Sequence, residues 1–253
     1  MQWRRAMIDG LELRPGDRVV DMATGTADVA IMISQELAKL ESRGGDIVPG
    51  SDTPAVVGID PSANMLDVGR KKAAEAGLSS RVVLQIGDAQ DLSDIADGSV
   101  DKLTMAFGIR NVPDRQKALR EFRRIMAVPE AKGAGSSESA GTGTGEGAGA
   151  GYSASVVAIL ELQNPESGIL SSASRAFIRH AAPVLGWVMS GSGAEYGHLK
   201  DSILNFPTVS EWTSHMEEAG EIRTTAGSIY VFSHQTMGFG TVHLYLARPR
   251  IGS

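Results

Sequence analysis

Cysteine is absent from the 253 residues. That excludes disulfides, thiolate metal ligation and a cysteine nucleophile. No apolar run approaches the ~20 residues that cross a bilayer, and no apolar signal-peptide segment follows Met1-Gln2-Trp3-Arg4-Arg5. There is no basic excess either: 24 Lys and Arg stand against 30 Asp and Glu, a net charge of −6. The balance argues against a nucleic-acid partner. The five histidines show no ligand spacing with carboxylates, so no metal site is expected.

What is present is an alternation of strands and helices. Strand-like runs lie near 18–21, 55–60, 82–86, 100–106 and 155–162, with helical patterns between them. This order predicts a parallel, doubly wound α/β sheet in a single domain. One helix, roughly 28–40, carries Val29, Ile33 and Leu37 on one face. A second, roughly 62–76, is entered by Pro61-Ser62 and closed by Gly77. A third carries Ala118, Leu119, Phe122, Ile125 and Met126 at helical spacing. The segments 228–233 and 241–247 alternate, as antiparallel strands do. Between the elements, 42–54 reads as a polar loop. The stretch 133–151 holds only Gly, Ala, Ser, Thr and Glu, too little apolar surface to offset its ordering entropy, and is expected to be a disordered surface loop.

The chemistry concentrates at the first turn. Val19-Val20-Asp21 is a strand end; Met22-Ala23-Thr24-Gly25-Thr26-Ala27-Asp28 is a small-residue turn opening a helix. Such a turn lets the backbone approach a ligand and points free N–H groups at it. The next strand, Ala55 to Ile59, ends in Asp60, an acid able to accept hydrogen bonds from both ribose hydroxyls. Together they describe a site for an adenosine-containing cofactor. Only Gly25 is glycine, with Ala23 and Ala27 beside it, whereas a pyrophosphate needs glycine where it touches the backbone. S-adenosylmethionine (SAM) has no diphosphate, and Asp21, Thr26 and Asp28 can supply the acid and hydroxyl groups that its charged end needs. Further on, the apolar strand Leu103 to Ala106 runs into a loop bearing Arg110 and Asn111. At a strand's carboxyl end these face the site. The other reading makes Arg110 a surface cation capping the helix that Pro113-Asp114 begins.

Phe107-Gly108-Ile109-Arg110-Asn111-Val112 closely resembles the signature of the ubiquinone/menaquinone biosynthesis C-methyltransferases. Trp3-Arg4-Arg5 is similar to the end of that family's N-terminal helix, Val20 to Asp28 to its SAM turn, and Gly58-Ile59-Asp60-Pro61-Ser62 to its ribose motif. Gly87-Asp88-Ala89, Leu160-Glu161-Leu162, Pro183-Val184-Leu185-Gly186 and Phe206-Pro207 follow in the family's order. The resemblance implies a seven-stranded class I methyltransferase sheet with an antiparallel last strand and a helical lid insert over 165–215. It implies SAM as cofactor, held by Asp21, Gly25, Thr26, Asp60, Asp88 and Ala89.

The implied reaction is methylation of a ring carbon of a polyprenylated benzoquinol in ubiquinone synthesis. Its alternatives are a catalytically weakened scaffold of a quinone-biosynthetic complex and a methyltransferase for another small acceptor. Arg110 would stabilise the phenolate and Asn111 orient the quinol or a water. Glu161, His180, Tyr196 and His198 are the candidate bases, the last three being also candidate substrate contacts. The resemblance further implies a homodimer, association with other quinone-pathway enzymes, and peripheral contact with the matrix face of the mitochondrial inner membrane through the insert around 169–190. Some residues depart from the family. Thr24 and Ala27 replace glycines, Ala27 adding a methyl expected beside the cofactor path. His198 replaces a tyrosine, and the segment upstream of Trp3 is short, as in a truncated chain that has lost any transit peptide.

Overall fold

The computed structural model describes residues 2–44, 55–127, 155–163, 202–203, 205–219 and 229–249. Seven strands form one sheet: β1 (Val19–Met22), β2 (Val56–Asp60), β3 (Val82–Ile86), β4 (Lys102–Ala106), β5 (Val156–Leu162), β6 (Ile229–Met237) and β7 (Val242–Pro249). Their order is β3-β2-β1-β4-β5-β7-β6. The first five run parallel. β7 lies antiparallel between β5 and β6.

Helices cover both faces. On one lie α1 (Gln2–Gly10) over β5, α2 (Asp28–Gly44) over β2 and α3 (Ala63–Glu75) over β3, with Met7, Ile33, Leu37 and Leu66 in one core with Val56, Leu84, Val156 and Leu160. On the other lie α4 (Arg115–Ile125) and α5 (Val209–Glu218), packing Phe122 and Trp212 against Leu103, Ile159 and Tyr245. Central strands covered on both faces are apolar nearly throughout, which is why β1, β2, β4 and β5 fall on the apolar runs of the sequence; β3, at the sheet edge, is exposed at its end. The helix starts obey local chemistry. Ser62 accepts from the Met65 N–H, Asp114 accepts from the Lys117 N–H, and Thr208 with Glu211 makes a reciprocal capping box. Gly77 ends α3 at φ +69°, a left-handed cap that costs glycine little.

The C-terminal hairpin differs in detail from its sequence pattern. β6 extends to Met237, and β7 does not alternate in exposure: seven of its eight residues are buried, because Val242, Leu244 and Leu246 pack on one face of the sheet and Tyr245 and Ala247 on the other. The segment 133–151 and most of the 165–215 insert lie outside the described residues; of the latter, 209–215 is the start of α5.

From β1 the chain winds outward through β2 and β3, then returns to place β4 and β5 on β1's other side. The crevice at the carboxyl ends of β1 and β4 is therefore the switch point where ligands bind in open α/β sheets.

Candidate active site

Asp21 anchors the switch point from below. It is 1% exposed and lies opposite Thr104 of β4. The Thr104 hydroxyl donates to its Oδ1 and the Thr24 hydroxyl to its Oδ2, each at 2.6 Å. Burial pushes the Asp21 carboxyl up to about 6, against the pull of both hydroxyls. Asp21 thus staples the turn to β4 from within the sheet. Thr104, a hydroxyl in an apolar strand, was a polar signal that the sequence reading passed over.

The turn itself takes left-handed backbone at alternate residues: Ala23 (φ +50°), Gly25 (+56°) and Ala27 (+62°). For alanine this costs on the order of 1–2 kcal/mol, so the surroundings must hold it. They do so through Asp60, whose Oδ2 accepts the Gly25 N–H at 3.0 Å and whose Oδ1 accepts the Ser62 N–H at 2.9 Å. Each oxygen keeps a second lone pair for a ligand hydroxyl. The expectation for Ala27 needs correction. Its methyl is fully buried, and a Cβ built on Gly69 of α3 would lie 3.0 Å from it. The left-handed φ turns that methyl into the core under the turn, away from the cofactor crevice.

Thr26 and Asp28 face the helices. Lys72 Nζ donates to the Thr26 hydroxyl at 2.8 Å and to Asp28 Oδ1 at 2.7 Å, while Arg4 Nη1 reaches Asp28 Oδ2 at 3.1 Å. These half-exposed pairs add little stability, but they tie α1, the turn and α3 into one geometry. On the far side, Asp88 accepts the backbone and side-chain N–H groups of Gln90, and Ala89 is buried. Gln90 in turn accepts the Asp114 N–H at 3.0 Å. Met65 (44% exposed) lies by Gly25, and Ile86 (65% exposed) is the β3 partner of Asp60.

The 107–112 segment closes the other wall. Gly108 is required there, since a Cβ on it would come within 2.5 Å of the Ala23 Cβ. After it comes a 3₁₀ turn, Ile109–Asn111, that sends two polar residues opposite ways: Asn111 to solvent, Arg110 inward. Arg110 Nη1 donates to Glu161 Oε1 at 2.5 Å and to the Phe107 carbonyl at 2.7 Å, and its own backbone N–H donates to Glu161 Oε2 at 3.1 Å. The guanidinium is therefore held on β5 and does not cap α4. Its Nε is buried with no hydrogen-bond partner. Glu161 is fully buried; burial pushes its carboxyl up while Arg110 pulls it down. With its oxygens engaged by Arg110 and the Leu162 N–H, Glu161 serves as the anchor of Arg110 and is not placed as a base. Arg115, which the sequence reading missed, donates to the carbonyls of Ile109 (3.3 Å) and Arg110 (3.0 Å) and lies 5.1 Å over the Phe206 ring. His180, Tyr196 and His198 lie outside the described residues.

The crevice fits SAM. It has a carboxylate at the end of β2 with lone pairs to spare, apolar Met65 and Ile86 for a flat base, a left-handed small-residue turn over Asp21, and no glycine-lined path for a pyrophosphate. Sheet order and crevice are those of a SAM-dependent methyltransferase, and the fold is similar to one from Aquifex aeolicus, with a TM-score of 0.57 and 16% identity over 97% of this chain and 89% of that one. The model of the ubiE/COQ5 methyltransferase family matches residues 1–131 and 153–244, and the chain belongs to that family. It is 31% identical to the ubiquinone/menaquinone biosynthesis C-methyltransferase UbiE of Geobacter sulfurreducens, over 96% of this chain and 77% of that protein. It is 29% identical to the demethylmenaquinone methyltransferase of Staphylococcus aureus, over 96% of this chain and 80% of that protein.

Proposed function

We propose that this protein methylates a ring carbon of a polyprenylated quinol, the benzoquinol of ubiquinone synthesis. The observation that carries the reading is the buried cation at the switch point, Arg110 held by Glu161 through both its guanidinium and its backbone N–H. A permanent cation taken out of water needs a counter-charge, and this one sits in the segment that resembles the quinol methyltransferase signature.

An aromatic carbon attacks poorly until a ring hydroxyl ortho or para to it loses its proton. SAM supplies the electrophilic methyl group. The protein's part is alignment, charge stabilisation and disposal of a proton. Arg110 stays charged at any working pH. Glu161 fixes its direction, and Nε offers an N–H to the phenolate oxygen. Asn111, at the surface of the same turn, can orient the acceptor. The base belongs to His180, Tyr196 or His198 on this reading. Asp21, Thr104 and Asp60 hold the turn rigid, so the cofactor end needs no rearrangement at the moment of transfer.

A polyprenyl acceptor resides in a membrane. Among the described residues no helix is long and apolar enough to cross one. The reading therefore includes peripheral contact with the membrane, and for ubiquinone the matrix face of the mitochondrial inner membrane. A homodimer and association with other quinone-pathway enzymes complete it. The test supplies methyl-labelled SAM with demethylated benzoquinol and, separately, demethylated naphthoquinol, both reduced, and reads the product by mass spectrometry. Label on the benzoquinol ring carbon supports the proposal. Label only on the naphthoquinol moves the function to menaquinone, and turnover of neither by a chain that binds S-adenosylhomocysteine overturns both.

A further inference from the structure

Beside the Arg110 turn an apolar row packs on the core beneath α1 and leaves part of its surface open at the carboxyl edge of the sheet. Leu162 of β5, Val242 of β7 and Met237 of β6 are consecutive register partners, so they form one row across the carboxyl edge of the sheet. Val242 is buried, whereas Leu162 and Met237 are only partly so. Phe107, also partly buried, stands at the end of β4. Trp3 of α1, 39% exposed, meets Phe107 edge-on, with centroids 6.4 Å apart and planes at 71°. Gly238, which follows Met237, leaves room for Trp3: a Cβ there would lie 3.0 Å from the indole Cζ2.

Phe107 is the informative member. Its φ of +57° is left-handed, an outlier for a bulky residue. Such strain persists where the surroundings over-determine it, and it concentrates at ligand clamps. Two anchors hold it. The Phe107 N–H donates to the Leu160 carbonyl at 2.7 Å, and the Phe107 carbonyl accepts Arg110 Nη1, also at 2.7 Å. The residue that presents the ring thus also fixes the guanidinium.

We propose that Trp3, Phe107, Leu162 and Met237 form the subsite for the flat ring of the acceptor. Two aromatic planes near a right angle give a corner in which a third ring stacks on one and meets the edge of the other. A ring seated there lies at the carboxyl end of β4, in the same turn as Arg110. The occupant is the ring and not the isoprenoid tail: the corner is aromatic, it is bounded by the motif turn, and a tail needs only aliphatic contact. The inference rests on the quinol reading above.

The test uses the full chain with Trp3→Ala and Trp3→Phe, with S-adenosylhomocysteine binding as the control. In Trp3→Ala the acceptor KM rises roughly three- to tenfold, equally for short- and long-tailed quinols, with cofactor binding unchanged; Trp3→Phe restores most of it. An unchanged KM overturns the subsite, and a rise confined to the long-tailed acceptor overturns the ring assignment. A second measurement separates this inference from the quinol reading. Titration with a tail-less benzoquinone should quench a saturable fluorescence component present in the wild type and missing in Trp3→Phe, whether or not that quinol is methylated. Absence of that component overturns the subsite even in a chain that turns over quinols.

Discussion

Glu161 and Arg110 stand 51 residues apart in the chain, yet Glu161 holds both the guanidinium and the backbone N–H of Arg110. The pair is closed to water, with side-chain exposures of 0% and 9%. Glu161→Gln keeps an acceptor oxygen but leaves the buried guanidinium without its counter-charge. Losing one partner of a buried pair costs about 3 kcal/mol or more, and urea unfolding should show it together with at least a tenfold fall in kcat. The double replacement Arg110→Met with Glu161→Leu buries no lone charge. It should unfold less easily than Glu161→Gln while remaining inactive, which separates the pair's role in stability from its role in turnover.

The buried carboxyl of Asp21 makes stability pH-dependent. Its folded value of about 6 lies above the ordinary 3.8, so the folded state binds the proton more tightly than the unfolded chain. Asp21's favourable contribution is complete below pH ~4 and is lost as pH rises through about 6. At 1.36 kcal/mol per unit the swing is roughly 3 kcal/mol. Asp21→Asn cannot ionise and still bonds both threonine hydroxyls. Melting curves from pH 4 to 7.5 should therefore shift in favour of the variant as pH rises; parallel curves would show that Asp21 does not titrate in this window.

Asp60 grips the backbone of Gly25 and Ser62, and the proposed function gives its remaining lone pairs to the ribose. Asp60→Ala should abolish micromolar binding of S-adenosylhomocysteine by calorimetry. Asp60→Asn retains an oxygen for the Gly25 N–H and should bind with intermediate affinity. Equal losses in both variants would mean that the charge, and not the grip on the turn, dominates.

Two glycine-to-alanine changes should act differently. A Cβ at Gly108 meets the Ala23 Cβ at 2.5 Å and Met105 Cε at 2.9 Å, so the β1 and β4 turns must part. Gly108→Ala should cost about 1–3 kcal/mol and weaken S-adenosylhomocysteine binding. At Gly77 a Cβ meets nothing within 4 Å but φ is +69°, so Gly77→Ala should cost about 1 kcal/mol with binding intact. Thermal melts and calorimetry on both distinguish backbone strain from loss of the close approach.

The legible parts of this protein were those whose cause is local. β1, β2, β4 and β5 were readable because strands buried on both faces must be apolar nearly throughout. The α3 and α4 starts were readable because Ser62 and Asp114 cap their own helices. The Arg110 turn was marked by a short, specific run of residues. Lys72 was not marked, because a lysine on a helix carries no sign that it will bond Thr26 of another element. Nor was Arg115, whose work is to bond the carbonyls of the preceding turn.

By itself, then, the sequence determined the alternating strands and helices, the cofactor turn between Asp21 and Asp28, the acid at Asp60 and the family signature at 107–112. Each is written in neighbouring residues, through apolar periodicity, capping chemistry or backbone propensity. Only the tertiary structure decided that β7 enters between β5 and β6, that Glu161 takes Arg110, that the Ala27 methyl turns inward and that Trp3 meets Phe107. Those outcomes depend on which strands become neighbours and which way a left-handed residue aims its Cβ, and burial of the whole sheet sets both.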